Sequence, residues 1–452
     1  MKKLDVFYNI MKKNITFLLI FLLSVLLQAS EVVIWATTDM HGILQSKRGG
    51  MAGILSILEL KRKPQDILLD AGDLFQGSYI ANSTNGSVIV NAFNLMNYDF
   101  YVPGNHEFEF GSEVLRKNFE AMNSVILCAN WAFVPAISKM KPFCIIERNK
   151  MRIAIIGVGE RESRNRILPD KKLVFMNEEK SIALALKELR KEKVDLTILV
   201  RHGGIYFKGG SLFSLLKKFP EIDLVIGGHS HQLEIGRKIA GAYYVQPGML
   251  AQGVSEIRVK FNDRSRKIER ITSFYHNAAD FEPSAKMKKL LSMQRKIMKD
   301  AYRTIPDALP ENVKSKTAAQ SYLTLKCAAE TAPADAHLFF IEKAEVNWNG
   351  RLNKYLIHRF FPYENALVTI PVSSQEYQIM LNEVRRYSDK YKVKFIAKAP
   401  RKQYFLLQTT AFVLSGGGAN FPESRKIAEQ KHKQIKIYPS MRQCVADFLN
   451  LK

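Results

Sequence analysis

The sequence is poor in cysteine and in acidic side chains for a chain of 452 residues. It contains four cysteines and no CxxC spacing, so a zinc cluster built on thiolates has little support. Asp and Glu number 43 against 67 Lys and Arg, which gives a formal net charge of +24. Such a positive field raises the local concentration of phosphates, nucleic acid or anionic surfaces. The charge therefore restricts the partners but does not decide the fold.

Hydrophobic runs long enough to span a membrane are also missing. Residues 15–27 are nearly all apolar, but thirteen residues at about 1.5 Å each fall short of the roughly 30 Å hydrocarbon core of a bilayer. Four lysines precede this run and the small residues Ala29 and Ser30 follow it, the pattern of a secretory signal. We therefore predict a signal peptide over residues 1–30 and an exported, periplasmic protein.

An uncleaved signal that stays as an anchor is the alternative, because Leu27 is a poor residue three positions before the cleavage site. The chain ends without an apolar tail, so we do not expect a lipid-linked C-terminal anchor.

An oxidising compartment would permit disulfides, but the sequence assigns no pairing. Two of the cysteines lie in apolar stretches, where buried strand thiols are the favoured interpretation. The four cysteines are Cys128, Cys144, Cys327 and Cys444.

The length is about three times the roughly 150 residues usual for one domain, which predicts two folded units. Apolar residues make up 47% and charged residues 24%, the balance of a globular protein rather than of a disordered or multi-span membrane chain.

Basic runs such as residues 398–402 indicate possible electrostatic contact with anionic surfaces. No nucleic-acid-binding motif accompanies them, so we expect no specific nucleic-acid recognition. We expect a monomer or weak oligomer.

From Glu31 to about Ala278, short apolar runs end in Gly, Asn, Asp or His and alternate with helix-like stretches such as residues 178–193. Runs buried on both faces and joined by helices predict a layered α/β fold, with functional residues where strands end. The predicted strands are Val32–Thr37, Ile67–Asp70, Phe100–Val102, Val125–Ala129, Ile153–Val158, Leu196–Val200, Leu224–Ile226 and Tyr243–Gln246.

The pattern changes after residue 278. Residues 279–305 are rich in lysine, with apolar positions at helical spacing, and predict a linker helix. Residues 306–452 predict a smaller α+β domain. Its predicted helices lie at residues 317–329 and 374–390, and its predicted strands at residues 337–341, 367–372 and 404–410.

Five short polar segments directly follow predicted strands of the first unit. Each is weak alone, since an isolated Asp-x-His usually marks a solvated turn, and Asp73 could simply cap a helix. However, five of only nine histidines fall in these segments. Carboxylates mixed with imidazoles suit a pair of divalent cations of the Mn, Zn, Fe or Mg type better than a structural thiolate site. The segments are Asp39-Met-His41, Gly72-Asp73, Gly104-Asn-His-Glu107, His202 and Gly228-His-Ser-His231.

In two of these segments the candidate donors are two residues apart. Residues i and i+2 of an extended chain point the same way, so we expect Asp39 with His41, and His229 with His231, to present both side chains to one cavity. That spacing is suited to a dinuclear site.

The motifs DMHG, LLLDAGDLFQGS, NYDFYVPGNHEFEFG, CANW and DLVIGGHSHQ, in this order, resemble the calcineurin-like metallophosphoesterases. More narrowly, GNHEFEFG followed by a C-terminal domain resembles the secreted 5′-nucleotidase family, which also includes cyclic-nucleotide phosphodiesterases and nucleotide-sugar hydrolases. The resemblance implies a four-layer αββα sandwich over residues 31–278. It also implies two divalent cations of the Mn, Zn, Fe, Mg or Co type. One would be held by Asp39, His41 and His231, the other by Asn105, His202 and His229, with Asp73 bridging both.

The same resemblance implies that His106 is the catalytic histidine, placed to hydrogen-bond a phosphoryl oxygen or to protonate the leaving oxygen. The family usually orients this histidine with an Asp three positions on, and this chain has Glu109 there. The carboxylate is kept but is one methylene longer. We expect the dyad to work with altered geometry.

The resemblance is weaker in the second unit. Residues 350–368 resemble the family's nucleotide-binding domain, and residues 415–422 resemble its Gly-Gly-Asp loop, but the Asp of that loop is missing here. The arginine-bearing Asn-Gly-Gly-x-Arg segment is replaced by residues 341–346. The substrate-binding residues implied are Asn365, Phe412 and Phe421, although Phe412 could equally be a core strand residue.

Together these features predict a secreted two-metal phosphohydrolase that releases phosphate from nucleoside 5′-monophosphates or related small phosphate esters. A phosphodiesterase or nucleotide-sugar pyrophosphatase with the same metal site is one alternative. A catalytically weak protein that binds metal or phosphate is the other.

Overall fold

The computed structural model of the protein describes residues 30–160, 172–207, 210–306, 308–332, 334–341, 348–363, 365–391, 393–415 and 420–451. Residues 1–29 of the predicted signal peptide lie outside the described residues, as do residues 342–346 and 416–419 of the second unit. Among the described residues, no helix combines the length and apolar character needed to cross a bilayer.

Within the described ranges, the first unit contains seventeen strands and six α-helices. The strands are β1 (Glu31–Thr37), β2 (Ile67–Asp70), β3 (Phe100–Tyr101), β4 (Val125–Leu127), β5 (Trp131–Phe133), β6 (Met140–Lys141), β7 (Phe143–Arg148), β8 (Met151–Val158), β9 (Leu173–Phe175), β10 (Leu196–Arg201), β11 (Tyr206–Phe207), β12 (Gly210–Ser211), β13 (Leu224–Gly227), β14 (Leu233–Ile239), β15 (Ala242–Pro247), β16 (Gly253–Phe261) and β17 (Ile268–Asn277). The helices are α1 (Met51–Lys61), α2 (Tyr79–Ser83), α3 (Ser87–Met96), α4 (Gly111–Ala121), α5 (Glu178–Leu189) and α6 (Leu212–Lys218).

Two large sheets organise this unit. One has seven strands in the order β17-β16-β1-β2-β3-β4-β6, and the other has six in the order β14-β15-β13-β10-β8-β7. Strands β1, β2 and β3 run parallel, as do β8, β10, β13 and β15. Parallel neighbours end at the same edge of a sheet, so the loops after β1, β2 and β3 lie together, and likewise those after β10 and β13.

The two sheets face each other across a common apolar core, and helices cover their outer faces. Ile34 of β1 and Ile198 of β10 point into the core between the sheets. Their neighbours point the other way, Trp35 toward α1 and α3 and Leu199 toward α5 and α6. This alternation follows from the two-residue period of a strand. The predicted four-layer αββα arrangement is confirmed.

All eight predicted strands are present, and each observed end lies within two residues of its predicted position. The sequence reasoning missed the long antiparallel pair β16–β17. Strand β17 lies at the edge of its sheet and alternates half-buried with exposed residues, so it lacks the continuous apolar run of the central strands.

Helix α7 (Lys288–Ala301) follows the first unit and lies within the predicted linker segment. The second unit has five strands: β18 (Ala336–Ile341), β19 (Ala366–Ser373), β20 (Lys394–Lys398), β21 (Tyr404–Thr410) and β22 (Lys436–Ser440). Its helices are α8 (Lys316–Thr331), α9 (Lys354–Phe360), α10 (Ser374–Tyr391), α11 (Ala411–Leu414), α12 (Pro422–Gln430) and α13 (Met441–Phe448). The sheet order is β20-β18-β21-β19-β22, with α10, α11 and α12 packed on one face and α8, α9 and α13 on the other.

The two units touch through the loop that follows β2. Gln76 Nε2 donates to the backbone oxygen of Pro362 at 3.0 Å. His358 Nε2 of α9 donates to the backbone oxygen of Gly77 at 3.2 Å, and its ring meets the Tyr79 ring edge-on with centroids 5.5 Å apart. His358 is only 4% exposed, so this contact is buried between the units.

We predict that His358 makes the folded chain sensitive to acid. Burial lowers the pKa of His358 to about 3, and Arg442 and Arg359 add to this shift. The unfolded chain, with an ordinary histidine pKa near 6.5, binds more protons at this position between pH 6.5 and pH 3. The folding free energy contributed here is therefore complete above about pH 6.5 and falls by up to about 1.4 kcal/mol per pH unit as acid is added.

His358→Gln keeps an N–H donor for Gly77 and removes the titration. Thermal or urea unfolding of both proteins between pH 7 and pH 4 should show a smaller loss of stability in the variant, because all other titrating groups are shared. Parallel stability profiles of the two proteins would contradict this assignment.

Candidate metal centre

Each candidate ligand follows a strand of one of the two large sheets. Asp39 follows β1, Asp73 follows β2 and Asn105 follows β3; His202 follows β10, and the loop with His229 and His231 follows β13. Face-to-face packing of the sheets brings the two sets of loops to one edge of the sandwich. The side chains form two groups whose ligand atoms all lie within 4.8 Å of one another: Asp39, His41, Asp73 and His231, and Asp73, His202 and His229. Asp73 belongs to both groups.

The first group consists of two imidazoles and two carboxylates. His41 Nε2 and His231 Nε2 are 3.1 Å apart, and His41 Nε2 lies 4.0 Å from Asp73 Oδ2. His231 Nε2 lies 3.4 Å from Asp39 Oδ1. Asp39 is fully buried, whereas the His231 side chain is 40% exposed and forms the solvent side of the group.

The second group lies deeper. His202 Nε2 is 3.2 Å from Asp73 Oδ2 and 3.2 Å from Asn105 Oδ1. His229 Nδ1 is 2.7 Å from the same Asn105 oxygen. His202 and Asp73 are each 1% exposed, so this cluster of polar atoms is almost completely removed from water.

The protonation pattern of these side chains fits divalent cations. His202 Nδ1 lies 2.6 Å from the backbone oxygen of Ala71, and a carbonyl only accepts, so Nδ1 carries a proton and Nε2 is the atom aimed at Asp73. Such an outer hydrogen bond fixes the tautomer of a ligating histidine. Two buried carboxylates, an amide oxygen and imidazole nitrogens thus converge, a donor set that Mn²⁺, Zn²⁺ or Fe ions accept.

The electrostatics of the metal-free chain agree with this fit. Burial opposes the charge of Asp73, but the charges of His202, His106 and His41 and a hydrogen bond from His202 together outweigh it and hold the pKa of Asp73 well below its usual range. Burial likewise opposes protonation of His202, but Asp73 raises the pKa of His202 to about 10. A proton on Nε2 thus occupies the position that a cation would take, and ligation requires its release. Burial lowers the pKa of His41 and that of His229 to about 4, so both are neutral at pH 7, as ligation requires.

The local backbone at the site differs from the sequence prediction. We expected Asp39 with His41, and His229 with His231, to point together because the chain is extended. All four residues instead have left-handed backbone, with φ of 49°, 48°, 68° and 59°, as does Asp73 at 59°. His229 and His231 also serve different groups. The side chains do converge on one site, but turns rather than extended segments aim them. Left-handed non-glycine residues are costly and cluster at functional sites.

The sequence reasoning missed the role of Glu107, which holds the loops after β2 and β3 together. Its Oε2 accepts from the backbone N–H of Gly104 at 2.5 Å and of Asp73 at 3.0 Å. Its Oε1 accepts from the N–H of Leu74 at 2.7 Å and of Phe75 at 3.4 Å. Glu107 is 1% exposed, and only its place directly after His106 in the GNHE motif could have drawn attention to it.

The predicted catalytic pair is in contact. His106 Nδ1 lies 2.5 Å from Glu109 Oε1, so the longer side chain of glutamate reaches the histidine. The backbone N–H of His106 donates to Asp73 Oδ1 at 2.8 Å, and its ring lies 5.3 Å from the His41 ring. Tyr363 of the second unit stacks on the His106 ring, with centroids 5.8 Å apart and 18° between the planes. Tyr363 is a second residue that the sequence reasoning missed.

The predicted substrate residues have different positions. Asn365 lines a cavity of about 1090 Å³ between the two units, which Glu109 also lines. Phe421 differs from the prediction: it is fully buried in the core of the second unit, where its ring packs 5.8 Å from Phe412 and 5.6 Å from Phe340. An aromatic ring that completes a core is not available to stack on a substrate in this arrangement. Phe412 is half-buried beside it, and neither phenylalanine is among the described residues that line the cavity.

Comparisons with known proteins agree with this geometry. A family model of calcineurin-like phosphoesterases matches residues 32–233. A 5′-nucleotidase-related protein of Glossina morsitans morsitans is 31% identical over 40% of this chain and 34% of its own length. A 5′-nucleotidase of Bos taurus is 28% identical over 44% of this chain and 38% of its own length. The chain thus spans little more than a third of the length of these relatives.

Solved structures are similar over nearly the whole chain. A proposed 5′-nucleotidase from Staphylococcus aureus, in complex with alpha-ketoglutarate, has a TM-score of 0.74 at 16% identity and covers 94% of this chain and 97% of its own. A 5′-nucleotidase precursor from Thermus thermophilus has a TM-score of 0.67 at 16% identity, over 93% and 96%. At such identity the likeness establishes the fold, including the second unit.

These findings first define a class: residues 32–233 match the calcineurin-like phosphoesterases. The relatives and structural neighbours described above that carry this likeness are themselves named as 5′-nucleotidases or as a 5′-nucleotidase-related protein.

We predict that divalent cations stabilise the fold and that Asp73 is required for both ions. A cation that binds only the folded chain raises the melting temperature with its concentration. With Mn²⁺ the wild type should bind about two ions and melt at a higher temperature. Asp73→Asn should bind at most one, because a neutral amide replaces the shared carboxylate.

Elemental analysis after gel filtration counts the ions, and scanning calorimetry gives the melting temperature. Asp389→Asn, which removes an exposed carboxylate on α10, is the matched control and should behave as wild type. Full metal occupancy in Asp73→Asn would remove Asp73 from the ligand set.

We also predict that Glu107→Ala is strongly destabilising. The substitution leaves four backbone N–H groups near the site without their acceptor, and each such buried donor costs about 1–3 kcal/mol. A loss of about 3 kcal/mol or more in the free energy of unfolding is expected from urea titration. Glu107→Gln should lose less, because its amide oxygen still accepts. Equal stability of wild type and Glu107→Ala would show that the loops are held by other contacts.

Proposed function

We propose that this protein is an exported two-metal phosphohydrolase that releases phosphate from nucleoside 5′-monophosphates or related small phosphate esters. The observation that carries the proposal is the pair of donor groups that share Asp73. In the proposed organisation residues 31–278 form the metal domain, residues 279–305 the linker helix and residues 306–452 the substrate-binding domain.

We assign Asp39, His41 and His231 to one cation and Asn105, His202 and His229 to the other, with Asp73 between them. Divalent cations bound by these residues would supply an activated water and positive charge for the oxygens of the phosphoryl group. Asn105 contributes a neutral oxygen, so the site keeps a net positive charge for an anionic substrate.

His106 is assigned as the residue that hydrogen-bonds a phosphoryl oxygen or protonates the leaving oxygen. Its Nδ1 contacts Glu109, so we assign this role to Nε2. A carboxylate on Nδ1 orients the ring and stabilises its protonated form, as a general acid requires. The His106 side chain is 14% exposed, consistent with access from the solvent side.

The cavity between the units supports a substrate with an organic part attached to phosphate. Its volume of about 1090 Å³ exceeds what a phosphate ion needs and suits a nucleotide-sized ligand. Glu109 of the catalytic pair and Asn365 of the second unit both line it, so a molecule in the cavity would contact both units.

The proposal is tested by assaying AMP, cyclic AMP and a UDP-sugar side by side with Mn²⁺ and measuring the products. We expect phosphate release from AMP to be fastest. Faster cleavage of cyclic AMP or the UDP-sugar would assign a phosphodiesterase or pyrophosphatase activity to the same metals. Bound metal with no turnover of any ester would instead indicate a binding protein.

We predict that His106→Ala lowers kcat by about 10²–10⁴-fold, because the proton or hydrogen bond at the reacting group is lost. Bound metal should not change, since His106 is not assigned as a ligand. Asp73→Asn should lose activity and at least one of the two ions, and Asp389→Asn should lose neither. A normal kcat in His106→Ala would exclude this histidine from the chemistry.

A further inference from the structure

The end of the first unit that lies opposite the candidate metal centre is rich in basic side chains. Three segments lie there: residues 147–152 and 190–195, which lead into β8 and β10, and residues 262–267, which connect β16 to β17. Each segment carries three Lys or Arg and at most two Asp or Glu. Together with Lys260, which lies opposite Glu31 in the register of β16 and β1, they form a surface that we call the basic end.

Hydrogen bonds between these segments make them one surface. Arg266 Nη2 donates to the backbone oxygen of Lys150 at 2.7 Å, and Arg266 Nε donates to Asp195 Oδ1 at 2.8 Å. Arg152 Nη2 donates to Glu192 Oε2 at 2.7 Å. Each of the three segments is thus tied to the others by an arginine side chain.

Only part of the positive charge is neutralised within the basic end. The two arginines that join the segments form ion pairs. Two exposed carboxylates, Glu147 and Asp263, make no ion pair with any residue that the structure describes. Five exposed cations also make no ion pair within the described ranges: Lys150, Lys193, Lys260, Arg264 and Lys267. The uncompensated charge is therefore positive, and such a surface attracts anions.

The first described residue, Ser30, also lies at the basic end. Its backbone N–H donates to Asp263 Oδ1 at 2.9 Å. The apolar run of residues 15–27 ends three residues before Ser30. At about 3.5 Å per residue, a bilayer that holds this run lies within about 10 Å of Ser30. That distance is close to the Debye length of about 8 Å at physiological salt, so the charge of the basic end is only partly screened from the lipid headgroups.

The candidate metal centre lies at the opposite end of the same strands. His202 follows β10, whereas residues 190–195 precede it, and Asp39 follows β1, whose first residue is Glu31. Strand β1 has seven residues, which at about 3.3 Å each separate its two ends by roughly 23 Å. A flat surface bound at the basic end therefore leaves the candidate ligands facing away from it.

We propose that the basic end docks the protein on the surface of an anionic lipid bilayer, with the metal centre facing away from the lipid. Each Lys or Arg held near anionic headgroups adds attraction, and salt screens it. A basic patch also strengthens the membrane attachment that a short apolar segment gives alone. The inference goes beyond the proposed function and does not depend on phosphate release.

The test measures co-sedimentation of the protein with lipid vesicles at low salt. The chain that begins at Ser30 is used, because it contains the whole described fold and lacks the apolar run, which would bind lipid by itself. Binding to vesicles of phosphatidylcholine with phosphatidylglycerol should be at least about tenfold tighter than to phosphatidylcholine alone, since several unpaired cations contribute. The difference should disappear at about 1 M salt, where the Debye length is about 3 Å.

The variant Lys150→Gln/Lys193→Gln/Lys267→Gln removes three unpaired cations, one from each segment of the basic end. It should bind the anionic vesicles at least about tenfold more weakly than the wild type. Its melting temperature and its phosphate release from AMP should not change, because the three side chains are exposed and lie at the end of the unit away from the metal centre.

Lys288→Gln/Lys289→Gln/Lys299→Gln is the matched control, because it removes the same charge from exposed positions of α7 outside the basic end. It should bind the anionic vesicles within about twofold of the wild type. A loss that came from net charge alone would instead appear equally in both triple variants.

Equal binding of the wild type to the two kinds of vesicle, or the same loss in both triple variants, would overturn the docking surface. Tighter binding of duplex DNA than of the anionic vesicles would also overturn it, because the basic end would then be a nucleic-acid surface. If the protein hydrolyses no ester, the proposed function fails, and the vesicle comparison still decides whether the basic end binds lipid.

Discussion

The structure of the first unit depends on keeping buried carboxylates close together at the end of the sandwich. Asp39 and Asp73 are almost completely removed from water, and the charge of Asp73 opposes the ionisation of Asp39. Backbone N–H groups from neighbouring loops offset this cost. Asp39 accepts from the N–H of His229 at 3.0 Å, and Asp73 accepts from the N–H of His106 at 2.8 Å. The carboxylates that face the cations therefore also tie together the loops that carry the other ligands.

Glu107 is a further buried carboxylate that is stabilised by backbone N–H groups, next to the candidate ligands. It is not a candidate ligand. Its carboxylate accepts hydrogen bonds from the backbone N–H groups of Asp73 and Leu74 in the loop after β2 and of Gly104 in the loop after β3. Burial raises the pKa of Glu107, and the charge of Asp73 adds to the shift. The position is thus tolerable because several backbone N–H donors surround the carboxylate. Loop geometry and carboxylate burial are mutually dependent, which explains why the ligand loops can hold left-handed residues such as Asp39 and His231.

Much of this arrangement could be predicted from the sequence because the central strands are buried on both faces. A run such as Leu196–Val200 has no polar face and must lie inside a sheet. His202 follows directly after this strand, at the edge of the sheet. Parallel pairing then places the ends of adjacent strands together, so Asp39 and Asp73 become neighbours without any knowledge of the loops. The convergence of candidate ligands follows from strand order alone.

The sequence could not give the details that depend on contacts between distant loops. The direction of Asp39 and His41 is set by left-handed turns, which the Asp-x-His spacing does not reveal. Phe421 precedes a helix in a pattern that fits either a binding loop or a core position. Its contact with Phe340, which is distant in sequence, shows that it is a core residue. Tyr363 reaches His106 from more than 250 residues away, so no local pattern could have paired them.

The contact between the units is connected to the candidate metal site through two consecutive residues, Gln76 and Gly77. Gln76 donates its side-chain amide to Pro362, and its own backbone oxygen lies 3.2 Å from His41 Nδ1. Gly77 accepts from His358, and a side chain at Gly77 would lie 2.7 Å from the Cβ of His41. The same two residues thus meet the second unit on one side and a candidate ligand on the other. A rotation of the second unit must break both hydrogen bonds and remove Tyr363 from His106, so the position of that unit and the surroundings of His41 and His106 change together.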